Sequence, residues 1–122
     1  METVTLDVRV LGAGLEPERV QESARDLRTA ILTTDVDDAK PAPAGPAPAG
    51  AKSGDALSVG ALVVTLAPSI VEALMGVVAS WLSRQPGDIE IEIEGHRLKG
   101  HVTRAQRDEL VAAYLSRLDA AR

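Results

Sequence analysis

The residues of this chain with the greatest capacity for chemistry lie between positions 90 and 101. His96 and His101 are its only histidines, and Glu90, Glu92 and Glu94 alternate along one short segment. Carboxylates on one strand face could act as a general acid and base, or could bind a cation. Because basic residues follow directly, a solvated ladder of charge pairs is the favoured interpretation. We expect His101 to pair at the surface and His96 to lie in a turn, since no cluster with metal-ligand spacing surrounds them.

A second acidic cluster and a pair of glycines give weaker signals. Asp35, Asp37 and Asp38 resemble the start of a calcium loop, but the glycine and the distant bidentate glutamate of such a loop are missing. Gly12 and Gly14 follow a predicted strand without the third glycine of a dinucleotide-binding fingerprint. The chain has no cysteine, which excludes a disulfide, a thiolate metal site and a cysteine nucleophile. The sequence therefore predicts no catalytic, metal or cofactor site.

The charge balance argues for a protein partner. The 122 residues carry a formal net charge of -5, so no global basic field attracts nucleic acid or anionic lipid. The lack of cysteine fits a reducing compartment, and the opening residues lack a basic stretch followed by an apolar one. We therefore expect a cytoplasmic protein without a cleaved signal peptide.

The longest apolar run, residues 56–82, separates the two main functional hypotheses. It contains a single charge, Glu72. Because about 20 predominantly apolar residues can cross a bilayer as a helix, one alternative is a membrane-anchored component with residues 56–82 inserted. The other is a long apolar central helix of a small domain, kinked near Pro68. Pro68, Glu72 and the lack of a marked basic flank favour the second hypothesis.

The second half of this predicted helix, residues 69–82, is the candidate protein-interaction site. Small residues recur from Ser69 at spacings of four, three and four, a stripe that lets another backbone approach closely. Glu72 is expected to face water or to pair with an arginine, or else to act as a buried switch or subunit contact. Trp81 would lie in the core, or would form a binding hot spot if exposed. The predicted interaction residues are Ser69, Ile70, Glu72, Ala73, Leu74, Gly76, Val77, Ser80 and Trp81.

Regular elements are predicted on both sides of the central helix. Apolar and polar residues alternate over residues 3–11, which predicts a half-buried strand. Pro17 suits the first position of a helix whose apolar stripe runs from Val20 to Ile31. Residues 35–55, which include Pro-Ala repeats, are predicted to be a flexible linker within the domain.

Residues 89–102 predict a β-hairpin in which charge and hydrophobicity choose the same register. With a two-residue turn at Gly95-His96, every opposed polar pair joins an acid to a base. These predicted pairs are Glu94 with Arg97, Glu92 with Lys99 and Glu90 with His101. After the hairpin, Thr103 and Gln106 form a capping box that starts a last helix with an apolar stripe over residues 110–118.

These elements predict one α+β domain over residues 1–122. We expect a three-stranded antiparallel or mixed sheet in β-α-α-β-β-α order, with one charged face and helices on the other. The first strand should pair with the hairpin and bring Arg9 to the Glu-rich face. Since so small a sheet cannot wrap the central helix, a residual apolar face should remain exposed and mark an association site.

Three segments carry a resemblance to a known family. They are the opening Met-Glu-Thr-Val-Thr-Leu-Asp-Val-Arg-Val-Leu-Gly, the Ala-Ser-Trp-Leu-Ser-Arg at residues 79–84 and the Ile-Glu-Ile-Glu-Ile-Glu-Gly at residues 89–95. Together they resemble the effector-associated constant component family over nearly the whole chain except the Pro-Ala linker. The resemblance implies a small non-enzymatic partner of protease-type or NTPase-type effectors in multi-gene conflict or signalling systems of GC-rich bacteria. It supplies no catalytic residues.

The leading hypothesis is therefore an adaptor that forms a homo-oligomer or docks onto a protease-type or NTPase-type effector through residues 69–82. It would need no cofactor and would bind no nucleic acid. The membrane-anchored component is the alternative. A small hydrolase is a third class, for which replacement of His101, Glu92 or Glu72 should abolish turnover.

Overall fold

A five-stranded antiparallel sheet with three helices packed on one face makes this an α+β protein. The computed structural model describes residues 2–42 and 57–120. In chain order the elements are β1 (Val4–Ala13), α1 (Pro17–Ile31), β2 (Asp38–Ala42), β3 (Leu57–Leu66), α2 (Val71–Ser83), β4 (Ile89–Ile93), β5 (His96–Lys99) and α3 (Arg104–Ala120). The strand order β2-β3-β1-β4-β5 places β1 at the centre of the sheet.

The predicted first strand and the two flanking helices are confirmed. In β1, Leu6, Val8 and Val10 are buried against the helices, as the alternation predicts. Pro17 is the first residue of α1, and the apolar stripe from Val20 to Ile31 is buried. These patterns succeed because each element buries mainly one face, with Leu11 of β1 buried on the opposite face, so the period is visible in the sequence.

The prediction of a three-stranded sheet with a long, kinked apolar helix is wrong. Residues 57–66 form β3, which pairs with β1 along ten residues, and Pro68–Ile70 form a 3₁₀ turn before the 13-residue α2. An apolar run without alternation is compatible with a buried strand as well as with a helix. Adjacent β-branched residues at Val63, Val64 and Thr65 favour the strand, because they pack well on a pleated surface.

Gly60 shows how closely β3 approaches the helix above it. A Cβ atom at this position would lie 2.8 Å from Ala24 Cβ and 3.3 Å from the backbone oxygen of Val20, both on α1. Glycine is therefore required for α1 to pack directly on the strand. In the described part of the chain, no helix is long and apolar enough to cross a membrane.

The start of the predicted linker is also ordered. Residues 38–42 form β2, an edge strand that pairs with β3. Ala39 is fully buried, its carbonyl oxygen accepts a 2.6 Å hydrogen bond from Arg28 Nε, and the N–H of Asp37 donates to Thr65 O at 2.8 Å. Tertiary hydrogen bonds thus override a composition that is poor in strand formers. The rest of the predicted linker, residues 43–55, lies outside the described residues.

The hairpin is confirmed, but its register differs from the predicted one by two residues. The turn is Glu94-Gly95, and both residues have positive φ values, of 49° and 87°. Positive φ at both central positions is typical of a type I′ turn, and glycine is the preferred residue at the second of these positions. Glu92 therefore faces Arg97 and Glu90 faces Lys99. Because the shift is even, the acidic and basic side chains still share one face.

Candidate protein-interaction site

The structure divides the predicted interaction residues between the core and the surface. Leu74 and Trp81 are 0% and 1% exposed and belong to the core cluster. Ser69, Glu72, Ala73 and Ser80 are exposed, and Ile70, Gly76 and Val77 are half-buried. The expected residual apolar face is absent: among the described residues, the only exposed large hydrophobic side chain is Leu32. A sheet of five strands, with α1 and α3 beside it, encloses the apolar side of α2.

Trp81 acts as a packing element of the core. Its Nε1–H donates a 2.8 Å hydrogen bond to Asp26 Oδ2 on α1, so the indole is both buried and paired. A buried tryptophan normally needs such a partner for its N–H group. The bond joins α2 to α1 and keeps Trp81 away from any docking surface.

The outward side of α2 carries small residues and one charge. Glu72 is exposed, which agrees with the expectation that it faces water. A Cβ atom at Gly76 would lie 3.6 Å from Arg107 Nη1 on α3, so this part of the small-residue stripe already faces a neighbouring helix. The freely accessible part of the stripe is therefore limited to Ser69, Ala73 and Ser80.

The carboxylates of β4 are engaged in charge pairs on the sheet face opposite the helices. Glu92 Oε1 lies 3.0 Å from Arg9 Nη1, and both side chains are less than a fifth exposed. This confirms that β1 supplies Arg9 to the Glu-rich face. Glu90 is shared by two longer pairs, at 3.9 Å to Arg97 Nη2 and 4.0 Å to Lys99 Nζ. Such partly exposed pairs each contribute little to stability, and they fit the observed register without excluding one shifted by two residues.

Glu94 connects the hairpin turn to two other elements. Its carboxylate accepts a 3.0 Å hydrogen bond from the N–H of Asp7, and its own N–H donates to Asp7 O at 3.3 Å. Arg117 on α3 donates to the backbone oxygen of Glu94 at 3.3 Å. These contacts compensate for the positive φ that Glu94 adopts, which a non-glycine residue rarely does. The side chain has a structural role at this position.

Tyr114 anchors α3 to the central strand. Its O–H donates a 2.9 Å hydrogen bond to Thr5 O, and the ring is almost fully buried. Burial raises the pKa of the Tyr114 hydroxyl above its ordinary value; Glu94 raises it further and Arg117 opposes the shift.

The predicted capping box at the start of α3 is confirmed. Thr103 N–H donates to Gln106 Oε1, and Gln106 N–H donates to Thr103 Oγ1.

A groove of about 340 Å³ separates β5 from α3. Residues 96–98 of β5 line one side, and Gln106, Glu109, Leu110 and Ala113 of α3 line the other. Leu98 and Leu110 supply its apolar surface, while His96 and Arg97 on the strand side are exposed. The groove is thus partly apolar and runs beside the last strand of the sheet.

A second cavity, of about 440 Å³, lies between α1 and the segment that connects α2 to β4. Its charged lining residues are Arg19, Glu22, Asp26 and Asp88. Residues 2–42 and 57–120 contain no group of three or more His, Asp or Glu side chains arranged to hold a metal ion. The lining of this cavity thus combines one arginine with three carboxylate side chains.

The remaining chemical candidates are dispersed. His96 and His101 are both exposed, and His96 begins β5 instead of occupying the turn. Asp35 and Asp37 are exposed, and Asp38 is half-buried beside Lys40 at 3.4 Å. The structure does not bring these groups together into a site.

The sequence did not predict that the residues of the β5–α3 groove lie together. Leu98 and Leu110 each belong to a correctly predicted element, but nothing in the local pattern shows that α3 lies beside β5. The available signal was the charge distribution, since residues 96–107 contain four lysines and arginines, two histidines and no acidic residue. A basic segment within a chain of net charge -5 indicates a surface with its own binding preference.

Comparison with known proteins gives no relative: no protein-family model matches the chain, and no curated protein or solved structure is significantly similar to it.

Proposed function

We propose that this chain is a non-enzymatic interaction module of the cytoplasm, which docks onto an effector of protease or NTPase type in a bacterial conflict or signalling system. The resemblance to the effector-associated constant component family motivates the biological setting. The fold and the use of its charged residues motivate the interaction role. Neither the biological setting nor the interaction role depends on the enclosed apolar side of α2.

The observation that carries this proposal is the use of the carboxylates that are best placed for chemistry. Glu92 is bound to Arg9, Glu90 is shared by Arg97 and Lys99, and Glu94 supports a turn. A general acid or base must be within hydrogen-bond reach of a substrate proton, in a site that holds the substrate. These side chains instead lie on a sheet face among their own cationic partners, which favours a structural and binding role.

The surface is better suited to docking onto another protein than to self-assembly through an exposed hydrophobic patch. The core closes without a partner, so complex formation would occur between folded proteins. Interfaces of this kind are about as polar as the rest of a protein surface, and they bind through a few well-placed contacts. The β5–α3 groove supplies an apolar surface with Arg97 on the strand side and Glu109 on the helix side, which is a suitable place for such contacts.

Co-expression tests this proposal. The chain would be produced with a protease-type or NTPase-type protein encoded beside it in its genome, and the purified mixture would be analysed by size-exclusion chromatography with light scattering. We expect a stable complex of defined stoichiometry and no peptide-bond or nucleotide hydrolysis by the chain alone. Turnover by the isolated chain that is lost on replacing Glu92 or His101 would contradict the proposal.

Self-association is a second part of the proposal, and the outward face of α2 supports it. Ser69, Ala73 and Ser80 have small side chains that would allow a symmetry-related helix to approach. Light scattering over a concentration series should then show a rising mass, and Ala73→Arg should keep the chain monomeric. A constant monomer mass at all concentrations would remove this part and leave the docking proposal in place.

A further inference from the structure

The free edge of β5 is available for pairing with another strand. β5 is the last strand of the described sheet, and its pairing with β4 begins at Ile93–His96, next to the two-residue turn. The pair that closes such a turn is hydrogen-bonded, and hydrogen-bonded pairs then alternate with non-hydrogen-bonded ones. Arg97 and Lys99 lie in the non-hydrogen-bonded pairs, so their backbone N–H and C=O groups point away from β4. Among the described residues, no hydrogen bond reaches these outward groups.

The groove gives an added strand a place to lie. An extended chain along the free edge of β5 would cover the space between this strand and α3, where Leu98 and Leu110 form the apolar surface. Side chains of a strand alternate between its two faces. Every second residue of the added strand would therefore enter the groove, and the residues between them would lie beside Arg97 and Lys99.

Charge specifies the residues on the second face. Arg97 and Lys99 are 42% and 67% exposed and share the single carboxylate of Glu90 at 3.9 and 4.0 Å, so their charge is only partly compensated. Directly opposed acid and base side chains on neighbouring strands stabilise their pairing. An acidic residue next to each of these cations is the complementary choice. The pattern required of the partner is thus apolar and acidic in alternation, as in the Ile-Glu-Ile-Glu-Ile of β4 on the other side of β5.

The edges of a second copy do not meet this requirement. Pairing of β5 with another β5 would bring its basic residues together, and like charges on facing strands are destabilising. The other described edge, β2, contains Pro41, which has no N–H to donate. A second copy is therefore the poorer occupant, and a different protein the better one.

From these observations, and resting on the proposed interaction function, we propose that the edge of β5 together with the β5–α3 groove binds an extended acidic-apolar segment of the effector by β-strand addition. Backbone hydrogen bonds to Arg97 and Lys99 supply the pairing, as in other edge-strand binding modes. The groove accepts the apolar side chains, and Arg97 and Lys99 select the acidic side chains on the other face.

A matched pair of variants tests the backbone part of this mode. Arg97→Pro and Arg97→Ala both remove the cationic side chain, but only the proline removes the outward N–H, which the pairing with β4 does not use. The probe is a fluorescent peptide, Gly-Glu-Val-Glu-Val-Glu-Gly, whose binding is followed by anisotropy. We expect Arg97→Ala to weaken binding roughly threefold and Arg97→Pro to weaken it by about a further tenfold. Equal affinities of the two variants would overturn strand addition.

Modified peptides keep the test decisive if the proline variant fails to fold. With the unmodified protein, N-methylation of the peptide groups that face β5 should abolish binding, and N-methylation of the groups that face away should not. A peptide of the same composition with its glutamates clustered should bind more weakly. Equal binding of the clustered peptide would overturn the proposal by showing that net charge alone is recognised.

The effector complex separates failure of this inference from failure of the proposed function. A complex that forms with the unmodified chain and is unaffected by Arg97→Pro overturns the β5 site and leaves the adaptor function standing. A chain that forms no complex with any effector overturns the adaptor function itself, whatever the peptide does. Loss of the complex in Arg97→Pro, with the complex retained in Arg97→Ala, supports both.

Discussion

α1 and α3 both bury apolar residues, yet they pack in different ways. α1 lies directly on β3 and β1, where Gly12 and Gly60 leave no room for a side chain. α3 packs mainly against α2, reaches the sheet through Tyr114, and leaves a groove beside β5. Two helices that each bury apolar residues thus give one close-packed end of the molecule and one open end.

This difference assigns stability mainly to the α1 end of the molecule and recognition mainly to the α3 end. Close packing at the α1 end means that volume changes there cannot be absorbed, because the interior of a protein is as dense as an organic crystal. The α3 end exposes the edge of β5, the apolar surface of the groove and the charged side chains of β5. Substitutions there leave the packing of the core largely unchanged. We therefore expect substitutions at the α1 end to alter unfolding, and substitutions at the β5–α3 groove to alter binding.

The largest effect is expected from Trp81→Ala, which empties the contact between α2 and α1. The free energy of unfolding should fall by about 3–5 kcal/mol, since truncation of a buried aromatic residue leaves a cavity. Urea denaturation followed by circular dichroism measures this change. Trp81→Phe is the control that keeps most of the ring packing while removing the N–H donor to Asp26, and it should cost less. A loss below 1 kcal/mol in Trp81→Ala would show that the α1 end is not close-packed.

Two glycine substitutions should shift stability in opposite directions. Gly60→Ala should destabilise by about 1–3 kcal/mol, because the new Cβ would clash with Ala24 and with the backbone of α1. Gly76→Ala should stabilise by about 1 kcal/mol, because its Cβ would make an ordinary contact with Arg107 while alanine favours the helix. Thermal unfolding of the two variants side by side provides the measurement. Shifts of the same sign would remove the contrast between the two ends.

The smallest effect concerns Tyr114 and appears only at high pH. Because its pKa is raised in the folded state, its contribution to stability is fully present below about pH 10 and is lost as the pH rises through the folded-state pKa. The stability difference between the natural chain and Tyr114→Phe should therefore be constant below about pH 10 and shrink above it. Urea titrations at several alkaline pH values test this sign. A difference that grows with pH would contradict the raised pKa.

Ultraviolet titration of the phenol offers an independent check, since the chain has a single tyrosine. In the folded protein, ionisation should begin at a higher pH than in urea. Coincident titrations would show that Tyr114 is hydrated, and the α3 end would then be looser than its 2.9 Å hydrogen bond to Thr5 indicates.

Elements that bury one face were predictable from the sequence. The stripe of α1, the alternation of β1 and the capping box at Thr103 and Gln106 all report local geometry that the structure keeps. The hairpin was predictable in its pairing of acids with bases, because the side-chain period is two and a shift of two residues preserves the faces. Its turn was not, since Glu94 is held at positive φ by contacts from distant Asp7 and Arg117.

Elements that depend on distant partners could not be read from local patterns. β3 is apolar on both faces, so no alternation marked it as a strand, and its identity follows from pairing with β1. β2 has a single buried residue, Ala39, and a proline, so its composition resembles that of a linker. The β5–α3 groove is a product of tertiary placement. The basic residues of β5 were visible in the sequence, but the apolar surface of the groove was not.

The central position of β1 has a consequence for how this chain acquires its structure. Arg9 on β1 and its partner Glu92 on β4 are 83 residues apart, and Thr5 and Tyr114 are 109 residues apart. During synthesis β1 leaves the ribosome well before its neighbours in the sheet, β3 and β4. The middle of the sheet can therefore form only after β1 has remained unpaired for some time. Chains dominated by such distant pairings fold slowly and expose unpaired edges on the way. An early strand rich in valine and leucine is therefore where a chaperone would first be needed.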